Sequence, residues 1–182
     1  MEQQHLTKVF REWEYTKLKP IPALIVCPHI GKDVDFKTWG TPAGADAIFK
    51  LIEDLKENYN IDEDRIIQEG HSMGAQGALY IAADDRADFQ KLVIVSGFYG
   101  EGTDYSKIKI PVYGCSGGGN DRPETERDSP GIYKFMNTTF KNAFPEAPMY
   151  VGPYNHDNVA IAFFQKDEDE DGISDIIQWM LN

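Results

Sequence analysis

Gly70-His71-Ser72-Met73-Gly74, preceded by Arg65-Ile66-Ile67 and followed by Ala75, Gly77 and Ala78, is the stretch on which the reading of this chain turns. A serine between two glycines, after an apolar run and before small residues, is the layout of a nucleophile elbow, a strained strand-to-helix turn that projects a serine hydroxyl outward. Such a backbone clashes with side chains at its flanks, so glycine at 70 and 74 is expected to remove those clashes. The small residues at 75, 77 and 78 let the following helix lie close to neighbouring strands. A glycine-rich turn that merely happens to contain Ser72 is the alternative. The position between a predicted strand and a predicted helix, with a histidine far downstream, favours the catalytic reading.

Working outward, apolar periodicity alternates between strand and helix. Leu6, Val9, Phe10 and Trp13 recur at helical spacing and predict a helix over residues 2–16. Ile21 to Cys27, bounded by Pro20 and Pro28, reads as a strand buried on both faces. Thr41-Pro42 is a capping residue followed by a first-turn proline, and Ala45, Ile48, Phe49, Ile52 and Leu55 mark one face of a helix ending near Asn58. Further strands are expected at Arg65 to Glu69, Lys91 to Ser96, Ile108 to Gly114 and Met149 to Tyr154. Ser129-Pro130 opens a helix with Ile132, Phe135, Met136 and Phe140 inward, and Ile173, Ile176, Ile177, Met180 and Leu181 form the stripe of a closing helix. This alternation predicts an α/β protein, a mainly parallel sheet flanked by helices in three layers, with reactive residues on loops at the carboxyl ends of strands. No repeat or linker divides the chain, so residues 1–182 are expected to form one domain.

The composition, 41% hydrophobic and 12% aromatic over 182 residues, suits a folded domain with a substantial core. A net charge of -12 and a pI near 4.7, with no basic stripe, argue against nucleic acid and anionic membranes as partners. Cys27 and Cys115 belong to no metal-binding spacing and are expected to be buried free thiols. The polar start Met1-Glu2-Gln3-Gln4 does not resemble a signal peptide, and no apolar run is long enough to span a bilayer, so a cytoplasmic protein is expected.

A serine hydroxyl needs an imidazole to take its proton and a carboxylate to orient that imidazole. Of the four histidines, His5 falls on the first helix, His29 follows an early strand, and His71 flanks the serine with its side chain expected to point elsewhere. His156, in Tyr154-Asn155-His156-Asp157 after the last strand, is the expected base. The acid belongs between Ser72 and His156 on a loop after another strand. Asp121, in Gly117-Gly118-Gly119-Asn120-Asp121, is the choice, with Asp128, Asp104 and Asp157 as substitutes. The backbone N–H of Met73 is the expected first donor to an oxyanion.

With these residues placed, the chain resembles the α/β-hydrolases, closest to small bacterial esterases and predicted peptidases related to feruloyl esterases and polyhydroxybutyrate depolymerases. The resemblance runs from about Ile21 to the end. It is most specific in Asn60-Ile61-Asp62-Glu63-Asp64-Arg65-Ile66 leading into Gly70-His71-Ser72-Met73-Gly74. The Pro28 loop with Trp39, the Ile110-Pro111-Val112 strand and the closing Ile177-Gln178-Trp179 helix are similar as well. That family carries an earlier strand ending in a His-Gly loop, which supplies a second oxyanion donor, and no such strand precedes Leu6. Two expectations follow from the resemblance. Either the chain begins downstream of the N-terminal strands, or the Ile21 strand takes that place and the Pro28-His29-Ile30-Gly31 loop supplies the donor through Ile30.

Asp167-Glu168-Asp169-Glu170-Asp171-Gly172 matches the first half of a calcium loop, with Asp167, Asp169 and Asp171 as the oxygen ligands. Ser174 and Gln178 fail its second half, and an acidic loop at a helix N-terminus is the preferred reading, with no metal. The functional expectation is a serine hydrolase cleaving small-molecule carboxylic esters through an acyl-enzyme with no cofactor. A catalytically silent hydrolase fold that binds a partner is the rival, and a peptidase or amidase a lesser one. Oligomeric state and ester specificity are not legible.

Overall fold

A computed structural model describes residues 23–28, 39–98, 102–121 and 131–182. Its centre is a four-stranded parallel sheet in which strand order follows chain order: β1 (Ile67–His71), β2 (Lys91–Val95), β3 (Val112–Ser116) and β4 (Met149–Val151). The register pairs Gly70 with Ile94, Ile94 with Gly114, and Gly114 with Met149, so all four carboxyl ends reach the same edge. In β2, Leu92, Val93, Ile94 and Val95 are all fully buried, as a near-continuous apolar strand covered on both faces must be.

One face of the sheet is covered by α2 (Met73–Ala82) and by a helical segment built of α3 (Ile132–Phe135), a π-helical turn (Met136–Phe140) and α4 (Lys141–Ala143). Leu92, Ile94 and Val112 pack there against Ala75, Ala78, Leu79, Phe135 and Phe140. The opposite face, carrying Val93, Val95 and Cys115, is covered by α5 (Val159–Phe164) and α6 (Asp175–Leu181) through Val159, Phe163, Ile176 and Ile177. α1 (Pro42–Asn58) lies outside α2, with Ala45 against Ile81 and Phe89. Thr41 caps α1 by accepting the Gly44 N–H through its side chain, as the Thr-Pro pair implies. The three-layer arrangement expected from the alternating pattern is met.

Several local expectations need correction. Residues 23–28 form no strand, and Leu24, Ile25 and Val26 are exposed; among the described residues β1 pairs only with β2. An apolar run becomes a buried strand only with a ladder partner, and Pro22 and Pro28 remove backbone donors at both ends of this one. Cys27 is accordingly exposed rather than buried, whereas Cys115 is buried. β3 starts at Val112 rather than Ile108, because Tyr105–Lys107 is a 3₁₀ turn and Pro111 donates no hydrogen bond. The last strand ends at Val151, and two helices follow it rather than one. The predicted helix at 2–16, the Ser129-Pro130 cap and Asp128 lie outside the described residues.

The elbow explains one glycine and not the other. A Cβ on Gly70 would lie 2.3 Å from the Gly74 carbonyl oxygen and 2.7 Å from the Ala75 Cα, backbone atoms that cannot turn aside. At Gly74 a Cβ would meet nothing within 4 Å among the described residues, so there the expected clash relief belongs to Gly70 alone. Gly70→Ala is therefore expected to cost about 3 kcal/mol or more. Gly74→Ala should be neutral or stabilising by up to about 1 kcal/mol, since alanine is the better helix former. Chemical denaturation of the two variants checks the contrast.

Candidate active site

Ser72 stands between β1 and α2 with φ 58° and ψ -118°, a left-handed conformation that costs about 1–3 kcal/mol and persists only where the surroundings impose it. The imposing contacts are the Gly70–Gly74 approach on one side and a hydrogen bond from the Ser72 N–H to the Val95 carbonyl, 3.0 Å, on the other. Met73 is the first residue of α2. First-turn N–H groups have no acceptor within their own helix, so the helix directs donors and a partial positive charge toward Ser72.

Asp121 follows β3 through a 3₁₀ turn, Gly118–Asn120, and is fully buried. Its Oδ2 accepts two hydrogen bonds, from Ser96 Oγ at 2.6 Å and from the Gly117 N–H at 3.0 Å. Its Oδ1 lies 2.8 Å from His156 Nδ1. Burial opposes ionisation of this carboxyl, but the bonds from His156, Ser96 and Gly117 outweigh it and hold Asp121 below the ordinary carboxylate range. A carboxylate only accepts, so Nδ1 carries the proton and the neutral ring presents the Nε2 lone pair on its far side. That nitrogen is 2.8 Å from Ser72 Oγ, which donates to it.

The loop after β4 delivers His156 because the Gly117 loop lies hard against it. A Cβ on Gly117 would sit 2.1 Å from the Tyr154 carbonyl oxygen, and Asn120 Nδ2 reaches the Pro153 carbonyl. Only glycine permits that approach, which brings acid and base within one hydrogen bond.

The structure thus brings Ser72, Asp121 and His156 together. Of the substitutes, Asp104 caps the turn at Ser106 on the surface, and Asp157 is exposed. Ile30, the expected second oxyanion donor, and His5 and His29 lie outside the described residues. His71 does not point away as expected: its ring lies 4.9 Å from that of His156, and its Nε2–H donates to the His156 carbonyl at 3.2 Å. Sequence reasoning also missed Ser96, at the end of β2. The one signal available was its position, a polar residue before glycine where a buried strand runs out.

In the acidic loop, the carboxylates of Asp167, Asp169 and Asp175 converge, rather than those of Asp167, Asp169 and Asp171. Asp171 instead accepts from the Ile173 N–H, and Lys166 holds Asp175 through a 3.0 Å ion pair.

On the face of β1 that also carries His71, Glu69 is partly buried with its carboxyl raised to about 7 by desolvation. Across that face burial, followed by the Asp121 and Glu69 charges, drives the Cys115 thiol well above its ordinary value.

No protein-family model and no curated protein sequence matches the chain. Among solved structures, a thermostable esterase is similar over 76% of this chain with a TM-score of 0.51 and 21% identity. Dipeptidyl peptidase 4 of Porphyromonas gingivalis aligns over 68% of the chain with a TM-score of 0.41 and 18% identity. The chain spans 36% of the esterase and 20% of the peptidase. The fold is a partial α/β-hydrolase fold, the fold that the motif resemblance implied. No helix among the described residues is long and apolar enough to cross a membrane.

A folded-state carboxyl raised to about 7 is harder to ionise in the folded chain than in the unfolded one. Stability contributed by Glu69 is therefore highest below its ordinary value, falls as pH rises toward about 7, and is constant above that. Glu69→Gln should lack this loss and be more stable than the parent at pH 8 by about 1–3 kcal/mol, with no difference near pH 4. Urea denaturation of both proteins across that range measures the gap.

Proposed function

We propose that this chain is a serine hydrolase that cleaves small-molecule carboxylic esters through an acyl-enzyme. The observation that carries the reading is the unbroken hydrogen-bond relay from Ser72 Oγ through the His156 ring to the buried Asp121 carboxylate. A left-handed serine at a helix N-terminus adds to it, because strain of this kind is concentrated where a hydroxyl must be presented.

Ser72 Oγ attacks the ester carbonyl carbon as its proton passes to His156 Nε2. The imidazolium is stabilised by Asp121, which keeps its negative charge and does not take the proton. Negative charge on the carbonyl oxygen falls to the Met73 N–H and the positive end of α2. Collapse of the tetrahedral intermediate breaks the C–O bond, and His156 gives its proton to the departing alkoxide. Water then repeats the sequence: His156 takes a water proton, the hydroxide attacks the acyl carbon, and Ser72 Oγ leaves with the proton returned. The same relay serves any acyl group with a competent leaving group. The ester is preferred because an alkoxide leaves more readily than an amide nitrogen.

Ser72→Ala should remain folded and lose about 10,000-fold or more in turnover of short-chain p-nitrophenyl esters. A fluorophosphonate should label the parent at Ser72 and leave the variant untouched. Asp121→Asn should cost about 1,000- to 10,000-fold: an amide that donates to Nδ1 forces the proton onto Nε2, which then cannot accept from Ser72. Equal turnover by parent and a folded Ser72→Ala overturns the reading.

A further inference from the structure

We propose that Ser96 is a positioning residue for the acid of the site: its hydroxyl fixes the rotation of the Asp121 carboxylate so that Oδ1 faces the His156 ring. This rests on the hydrolase reading only for its consequence in turnover, since the geometry stands by itself. The four parallel strands end side by side, and each delivers one member at its carboxyl end: Ser72 after β1, Ser96 after β2, Asp121 after β3 and His156 after β4. Three of these form the relay. Ser96 is the member from the strand between nucleophile and acid.

Its surroundings are those of a fixed donor. Ser96 is fully buried, and its Oγ lies 2.6 Å from Asp121 Oδ2, within the range of a charge-assisted O–H···O⁻ bond. Its backbone has φ 49°, left-handed for a residue that is not glycine. Glycine would adopt that conformation without penalty, so the hydroxyl is what the site gains from carrying serine there. The Ser96 N–H donates to the Cys115 carbonyl at 2.7 Å, so the donor is anchored to the strand that leads into the acid loop. A carboxylate can rotate about its bond to Cβ. With Oδ2 gripped by Ser96 and by the Gly117 N–H, whose loop lies against Tyr154, rotation is arrested with Oδ1 toward Nδ1. Without the hydroxyl a single backbone donor holds Oδ2, and the fully buried carboxylate keeps one satisfied position fewer.

Ser96→Gly and Ser96→Ala separate positioning from structural support. Glycine relieves the left-handed backbone and removes the hydroxyl, while alanine removes the hydroxyl and leaves the strain. Circular dichroism and thermal melting establish that each variant is folded, with Ser96→Gly expected to melt no lower than Ser96→Ala. Two readouts are then taken: steady-state turnover of p-nitrophenyl acetate, and the low-field proton resonance of the His156 Nδ1–H bridging to Asp121. We expect kcat to fall about 10- to 100-fold in both variants, with KM within about twofold. The low-field resonance should move or broaden in both. Folded variants that keep parental kcat and an unmoved resonance overturn the proposal, as does a parent protein with no such resonance. If the parent shows the resonance but neither turns over ester nor reacts with a fluorophosphonate, the hydrolase reading falls alone. The resonance then decides the role of Ser96: displaced in the variants it supports positioning, and unmoved it overturns it.

Discussion

The site depends on one close approach between main-chain atoms, the Gly74 carbonyl lying where a Cβ of residue 70 would be. Because no side chain intrudes, the chain can leave β1, reverse through Ser72 and enter α2 within a single residue. Everything else about the serine follows: its left-handed backbone, its bond to the end of β2, and its place at the N-terminus of α2. The strain at Ser72 is modest beside the burial of Ala75, Ala78 and Leu79 behind it, so packing of α2 holds the turn in place.

A second constraint is electrostatic. Asp121 is removed from water, which by itself favours the protonated acid, yet three donors restore the charge. The same face of the sheet holds Glu69 and Cys115 with the opposite balance, burial without comparable donors among the described residues, and both are displaced toward their neutral forms. Two carboxyl groups of the sheet are thus shifted in opposite directions, because among the described residues one is supplied with hydrogen bonds and the other is not.

Much of this was legible in sequence because it is local. The helix capped by Thr41, the inward stripe Ile132, Phe135, Met136 and Phe140, and the strand at Lys91 to Val95 each declare themselves through spacing and composition. The contact among Ser72, Asp121 and His156 was legible at one remove, from chain order and loop position. What could not be read depends on neighbours. Leu24, Ile25 and Val26 have the composition of a buried strand and lie exposed, because composition does not supply a ladder partner. Val159–Phe164 is short and almost wholly apolar, so periodicity does not declare it as a helix. Ser96 and His71 acquire their meaning only across strands, from Asp121 25 residues away and His156 85 residues away.

These separations also have a kinetic meaning. The two bonds of the relay, and the Ser96 bond beside it, join positions 35, 84 and 25 residues apart, and none lies within one helix or hairpin. The Ser96–Asp121 bond needs the β2–β3 pairing, the Asp121–His156 bond the β3–β4 pairing, and the Ser72–His156 bond all the pairings between β1 and β4. Such non-local pairings form slowly because loop-closure entropy is lost before any contact compensates it. A collapsed state with its helices formed would already have Ser72 near a helix terminus, yet not the His156 ring beside it. Ser72 therefore meets the His156 ring only once the last strand has docked.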